Sequence, residues 1–148
     1  MINYRGLAIP FVSFGNVTSD DLFCDKEQEI FDFYEAAGKA GRYKCALDIG
    51  ANIGVHTMLM ARQGWEVESY EPDPEHCRVA QQCFDNHPKE FWPLFLRQVA
   101  VSDHDGKETF VRVKGNTTGS HIKGDKQPYG ELEEFEVFVV NCRPLFDW

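Results

Sequence analysis

The spacing of apolar residues changes repeatedly along the chain, and each change marks an element. From Asp25, the residues Ile30, Phe33, Tyr34 and Ala37 fall at the three- and four-residue intervals of one helical face. Asp25 stands where an N-cap is expected, Gln28 completes a capping box, and Gly38 and Gly41 end the helix. "CALDIG" is an apolar run too short for a helix and bounded by glycine, which predicts a buried strand. Helical spacing returns at Val55, Met58, Leu59 and Arg62 and stops at Gly64, before "WEVESYEPD", a second strand closing at Glu71 and Pro72. Pro74 suits a first helical turn, and Val79, Ala80, Cys83 and Phe84 continue one face as far as Asn86 and Pro88. "LFLRQVAVS" then predicts a third strand, so the middle of the chain reads β-α-β-α-β, the pattern of parallel strands joined by crossover helices.

The two ends have other patterns. "KETFVRVK" and "EFEVFVVN" are strand-like, and the Gly- and Asn-rich stretch between them predicts a C-terminal antiparallel β-hairpin with a long loop. "INYRGLAIPFVSFGNVTSDDLF" predicts extended pieces and turns ahead of the main fold. Trp65, Trp92 and Phe95 are expected in the core or on a sheet face rather than as a stacking platform.

At 148 residues the chain has the length of one domain. It divides into an N-terminal extension (1–24), the β-α-β-α-β region (25–104) and the hairpin region (105–148). Fifteen basic and 24 acidic residues give a net charge of −9 with no local basic patch, which disfavours nucleic acid and anionic lipid as partners. The longest apolar runs fall well short of the roughly 18 residues that cross a bilayer, and Met1 to Pro10 lacks the pattern of a signal peptide, so a cytoplasmic location is the expectation. Five cysteines, at 24, 45, 77, 83 and 142, form an odd set without CxxC, and neither a metal site nor a disulfide framework is expected.

Chemistry concentrates in "ALDIGANIG". A strand that ends in Asp-x-Gly and runs straight into a helix brings amide hydrogens to the carboxyl edge of a parallel sheet, where such folds bind ligands. Gly50 and Gly54 allow close approach of a ligand to the main chain, and Asp48 and Asn52 supply polar partners. Seventeen residues after Gly54, Glu71 ends the second strand, where a carboxylate can accept from both hydroxyls of a ribose. A dinucleotide would call for G-x-G-x-x-G around its pyrophosphate; the G-A-N-I-G spacing here suits S-adenosylmethionine better.

"LDIGANIGVHT", "YEPDPEHC", "VAVSDHDGKETF" and "TTGSHI" resemble, in order and spacing, the FkbM-type methyltransferases, over roughly Asp25 to the C-terminus. The resemblance implies a Rossmann-like class I core that uses S-adenosylmethionine, usually for O-methylation of small molecules or sugars. The implied cofactor-binding set is Asp48, Gly50, Ala51, Asn52 and Gly54 on the methionine side, Glu71 at the ribose, and Pro72, Asp73, Val99 and Ala100 on the adenine side. His56, His104 and His121 are the candidates for a general base. In the family a further strand, with a K-x-D-x-E-G-like segment, follows the stretch that "RPLFDW" resembles, so the sheet is expected to be incomplete with one open edge. A second copy of the chain, a complementary chain, the N-terminal segment and the "EFEVFVVN" strand are the candidates to cover it. Two other function classes stay open: a non-catalytic cofactor-binding or interaction module, and a nicotinamide-dependent oxidoreductase.

Overall fold

The computed structural model describes residues 1–87, 94–127 and 129–146, so Pro88 and Trp92 lie outside the described residues. The architecture is mixed α/β. An antiparallel hairpin of β1 (Ile2–Tyr4) and β2 (Leu7–Ile9) opens the chain, followed by a short α1 (Ser19–Asp21). Thr18 and Asp21 cap α1 reciprocally, the side chain of each accepting the other's backbone N–H. A π-helical turn, Leu22–Lys26, leads into α2 (Gln28–Lys39). Asp25 sits inside that turn rather than at a cap, and the Gln28 side chain donates to Tyr4 Oη and Phe23 O, both at 2.7 Å. The buried face of α2 is also rotated from the predicted one. Phe31 and Ala37 are buried while Ile30 and Phe33 are exposed, and Phe31 packs against Tyr4 and Phe23 in the main core.

The N-terminal extension is not an accessory to the core. Tyr4, Leu7, Ile9, Phe14 and Phe23 pack in one cluster with Met58, Leu59, Val67 and Phe84. Short apolar runs between turn residues look peripheral in sequence, yet here they close one side of the main layer.

That layer is a parallel sheet in the order β3-β4-β5, from β3 (Cys45–Ile49), β4 (Glu66–Tyr70) and β5 (Leu94–Arg97). Two helices, α3 (Val55–Ala61) and α4 (Pro74–Asp85), link these strands as the periodicity predicts. Val79, Ala80, Cys83 and Phe84 form the buried stripe of α4, and Pro74 opens it directly after the Asp73 N-cap. Burial pushes the thiols of Cys77 and Cys83 up to about 12 and about 11, which keeps both protonated and unreactive at neutral pH.

"LFLRQVAVS" is not one strand. Val99 N–H returns to Arg97 O at 2.9 Å, and this tight turn separates β5 from β6 (Ala100–Ser102). Strand β6 enters a second, mixed sheet of order β6-β9-β7-β8, with β7 (Gly106–Val113), β8 (His121–Ile122) and β9 (Leu132–Asn141). The predicted hairpin strands do pair antiparallel, Phe110 facing Phe135, but β9 also pairs parallel with β6, and β8 occupies the connection. A small second cluster, Ala100, Phe110, Val137 and Val139, lies on this sheet. Among the described strands, β3 pairs on one side only, and its Cys45 and Ile49 are exposed. Among the described residues, no helix is long and apolar enough to cross a membrane.

Candidate functional site

The turn from β3 into α3 is left-handed at Gly50, Asn52 and Gly54, with φ of 82°, 52° and 80°. The two glycines serve different ends. A Cβ at Gly50 would meet no atom of the described residues within 4 Å, so this position opens onto free space. A Cβ at Gly54 would stand 2.5 Å from Phe84 Cε1, so this position lets the start of α3 press against α4. The turn's amides are largely consumed within the protein. Gly50 and Ala51 N–H both donate to Tyr70 O (2.8 and 3.0 Å), Gly54 N–H donates to Ala51 O (2.8 Å), and Asn52 N–H donates to Glu71 Oε2 (2.8 Å).

Glu71 follows β4 directly and is 5% exposed. Its other oxygen accepts Asp73 N–H at 2.9 Å and lies 3.8 Å from His76 Nδ1. An ionised carboxylate has about four acceptor positions, so two protein donors leave capacity for ligand hydroxyls. Asn52 contributes the opposite feature: its Oδ1 is buried and has no hydrogen-bond partner among the described residues.

A cavity of about 320 Å³ opens over this turn. Small-molecule sites span roughly 300–1,000 Å³. Gly50, Asn52, Glu71 and Pro72 line it at the carboxyl edge of the parallel sheet, together with His56 and His76. One wall comes from the N-terminal extension and the start of α2, through Leu22, Phe23 and Glu27. The facing wall comes from the second sheet, through Phe110, Thr117, Thr118 and Ser120. Thr117 joins the walls, since its N–H donates to Phe14 O at 2.8 Å and its hydroxyl lies 3.2 Å from His76 Nε2. None of the described lining residues is Lys or Arg.

Other residues of the predicted set lie around rather than on this cavity. Asp48 accepts from Thr57 Oγ1 at 2.5 Å, and Thr57 in turn reaches Ser69 Oγ at 2.8 Å. Burial pushes the Asp48 carboxyl above the usual range, against the lowering effect of that hydrogen bond and of His56. Ala51 is buried inside the turn. Asp73 is fully buried; it caps α4 through Glu75 N–H (2.8 Å) and takes a bidentate pair from Arg112 of β7, at 2.6 and 2.7 Å. Val99 belongs to the turn between β5 and β6, and Ala100 is buried in the second cluster. Neither is among the cavity's described lining.

The three histidines separate as well. His56 lines the cavity, its Nδ1 3.0 Å from Tyr34 Oη and its Nε2 3.0 Å from Glu27 Oε2. His104 is exposed between Asp103 (2.8 Å) and Glu108 (3.1 Å), with its pKa raised chiefly by the Asp103 hydrogen bond. His121 is buried on β8, where its Nδ1 faces Gly119 O at 3.0 Å.

Sequence reasoning does not find Leu22, Phe23, Glu27, His76 or Phe110 as lining residues. Only His76 carried a usable signal, since two positions after Pro74 it stands in the first turn of a helix that starts at the sheet's carboxyl edge. No protein-family model, curated protein or solved structure matches the chain.

Proposed function

We propose that the chain binds S-adenosylmethionine in this cavity through a Rossmann-like methyltransferase core, and transfers its methyl group to an oxygen of a small molecule or sugar. The observation that carries the reading is the contact of Asn52 N–H with the Glu71 carboxylate, at the rim of a cavity lined by carboxylates and by no described Lys or Arg. A dinucleotide needs donors for its pyrophosphate, and here the amides of Gly50, Ala51, Asn52 and Gly54 are already engaged. A sulfonium cofactor has no such demand, and its positive charge suits carboxylate walls.

The residues present fit that ligand. Glu71 has remaining acceptor positions for vicinal hydroxyls, and Gly50 leaves room for contact with the main chain. The bound cofactor supplies a methyl group already activated by sulfonium. The chain's task is placement: Asn52, Glu71 and Pro72 hold one end of the cavity, and Leu22, Phe23 and Phe110 give it an apolar wall.

Glu71→Ala is expected to weaken S-adenosylmethionine binding by about 1–3 kcal/mol, roughly 5- to 150-fold, because buried hydroxyls lose their acceptor. Isothermal titration of both proteins measures this, with circular dichroism confirming that the variant is folded. An unchanged affinity removes Glu71 from the site.

A further inference from the structure

We propose that Glu27 and His56 form the proton-accepting pair for the methyl acceptor, a step that rests on the cofactor reading above. Both side chains line the cavity that Gly50, Asn52 and Glu71 also line, and they meet each other at 3.0 Å. Each is about three-quarters buried, with side-chain exposures of 21% for Glu27 and 24% for His56.

The third member is Tyr34, whose hydroxyl lies 3.0 Å from His56 Nδ1. Burial, reinforced by Asp48 and Glu27, pushes the Tyr34 hydroxyl up to about 12, so it remains a donor through the neutral range. In the arrangement proposed, Tyr34 Oη donates to His56 Nδ1 and the imidazole proton sits on Nε2, facing the Glu27 oxygen that accepts it. Phe23, Phe31 and Tyr34 surround the ring, with centroids 6.3, 5.1 and 5.9 Å away, and hold it in this orientation. The result is a tyrosine, imidazole and carboxylate in series, with one Glu27 oxygen on His56 and the other without a described hydrogen-bond partner. Glu27 is the group that meets the acceptor, and His56 and Tyr34 position it.

The chemistry balances on these groups. As the acceptor's oxygen or nitrogen lone pair forms its bond to the methyl carbon, its proton passes to the free Glu27 oxygen, and the carbon–sulfur electron pair leaves with sulfur as S-adenosylhomocysteine. Around the pair stand Tyr34 from α2, Asp48 from β3 and Glu71 at the end of β4. His76 also lines the cavity, and a cationic ligand entering it brings positive charge beside the pair, which disfavours a proton there. The sulfonium form of the cofactor should therefore drive a proton off the pair, and the neutral thioether product should let one return.

Calorimetric titration of the full chain separates these outcomes without any acceptor. S-adenosylmethionine and S-adenosylhomocysteine are titrated between about pH 5 and 8 in buffers of different ionisation enthalpy, which reads the protons released on binding. S-adenosylmethionine is expected to release protons that S-adenosylhomocysteine does not, and Glu27→Gln and His56→Gln should each abolish the difference. Tyr34→Phe, which leaves both titrating groups in place, should shift the pH at which the difference is largest. Equal proton release by the two ligands, or a difference that survives in Glu27→Gln, overturns the pair's role while the cofactor reading stands. If neither ligand binds, the cofactor reading fails and this inference fails with it.

Discussion

Asp73→Ala is expected to destabilise the protein by about 3 kcal/mol, the larger part from leaving the Arg112 guanidinium without its buried carboxylate and about 1 from the lost helix cap. Asp73 is fully buried, and the Arg112 side chain is only 19% exposed, so water cannot replace the contact as it does for a surface ion pair. The effect should spread beyond α4. Arg112 lies on β7 in the second sheet, and its bidentate contact ties that sheet to the end of β4 where Glu71 stands. Urea denaturation measures the loss, and a change below about 1 kcal/mol would show that Glu133, 2.8 Å from Arg112, compensates alone.

The same pair has a pH signature. Burial by itself pushes Asp73 up, but the Arg112 hydrogen bonds, His76 and the Glu75 amide outweigh it, and the net effect holds the carboxyl below its usual range. A folded-state value below the unfolded one gives stability that is complete above the unfolded value, about 3.9, and is lost as pH falls toward the folded value. Asp73→Asn should therefore be less stable at neutral pH and should show a shallower fall in stability below about pH 4. A parallel fall in the two proteins would contradict this.

Gly54→Ala is the second large effect, about 2–4 kcal/mol. A left-handed φ of 80° costs a non-glycine residue about 1–2 kcal/mol, and a methyl group 2.5 Å from Phe84 Cε1 must displace a ring of the main core. Gly50→Ala shares the backbone penalty but meets no atom of the described residues within 4 Å, so it should cost only about 1–2 kcal/mol. Thermal melts of the two variants compare them directly. Equal destabilisation would mean that Gly54 acts only through its backbone conformation.

These two residues show how the sequence and the structure relate. The β-α-β-α-β segment is readable because each element announces itself locally: a short apolar run, a helical period, a glycine stop, a proline in the first turn. The meeting of the Asn52 turn with Glu71 follows from the same pattern, since adjacent parallel strands bring their carboxyl ends together. Asp73 stands in the sequence only as an expected adenine-side residue, and its pairing with Arg112 depends on a partner 39 positions away and on a second sheet. The division of "LFLRQVAVS" is hidden for a related reason, as a two-residue turn within an apolar run leaves no glycine or proline to mark it.

The N-terminal extension is the least legible part. Its apolar runs are too short to show a period, and the π-helical turn that delivers Leu22, Phe23 and Glu27 to the cavity follows no simple repeat. Glu27 in sequence is one acid in an acidic chain. Only its distance to His56 gives it a role.

Titration of the full chain with S-adenosylmethionine and, in parallel, with NAD tests the central claim most directly. Saturable one-site binding of S-adenosylmethionine, with a Kd of about micromolar order, and no binding of NAD is the predicted result. Binding of NAD in preference to S-adenosylmethionine, or of neither ligand, would contradict it.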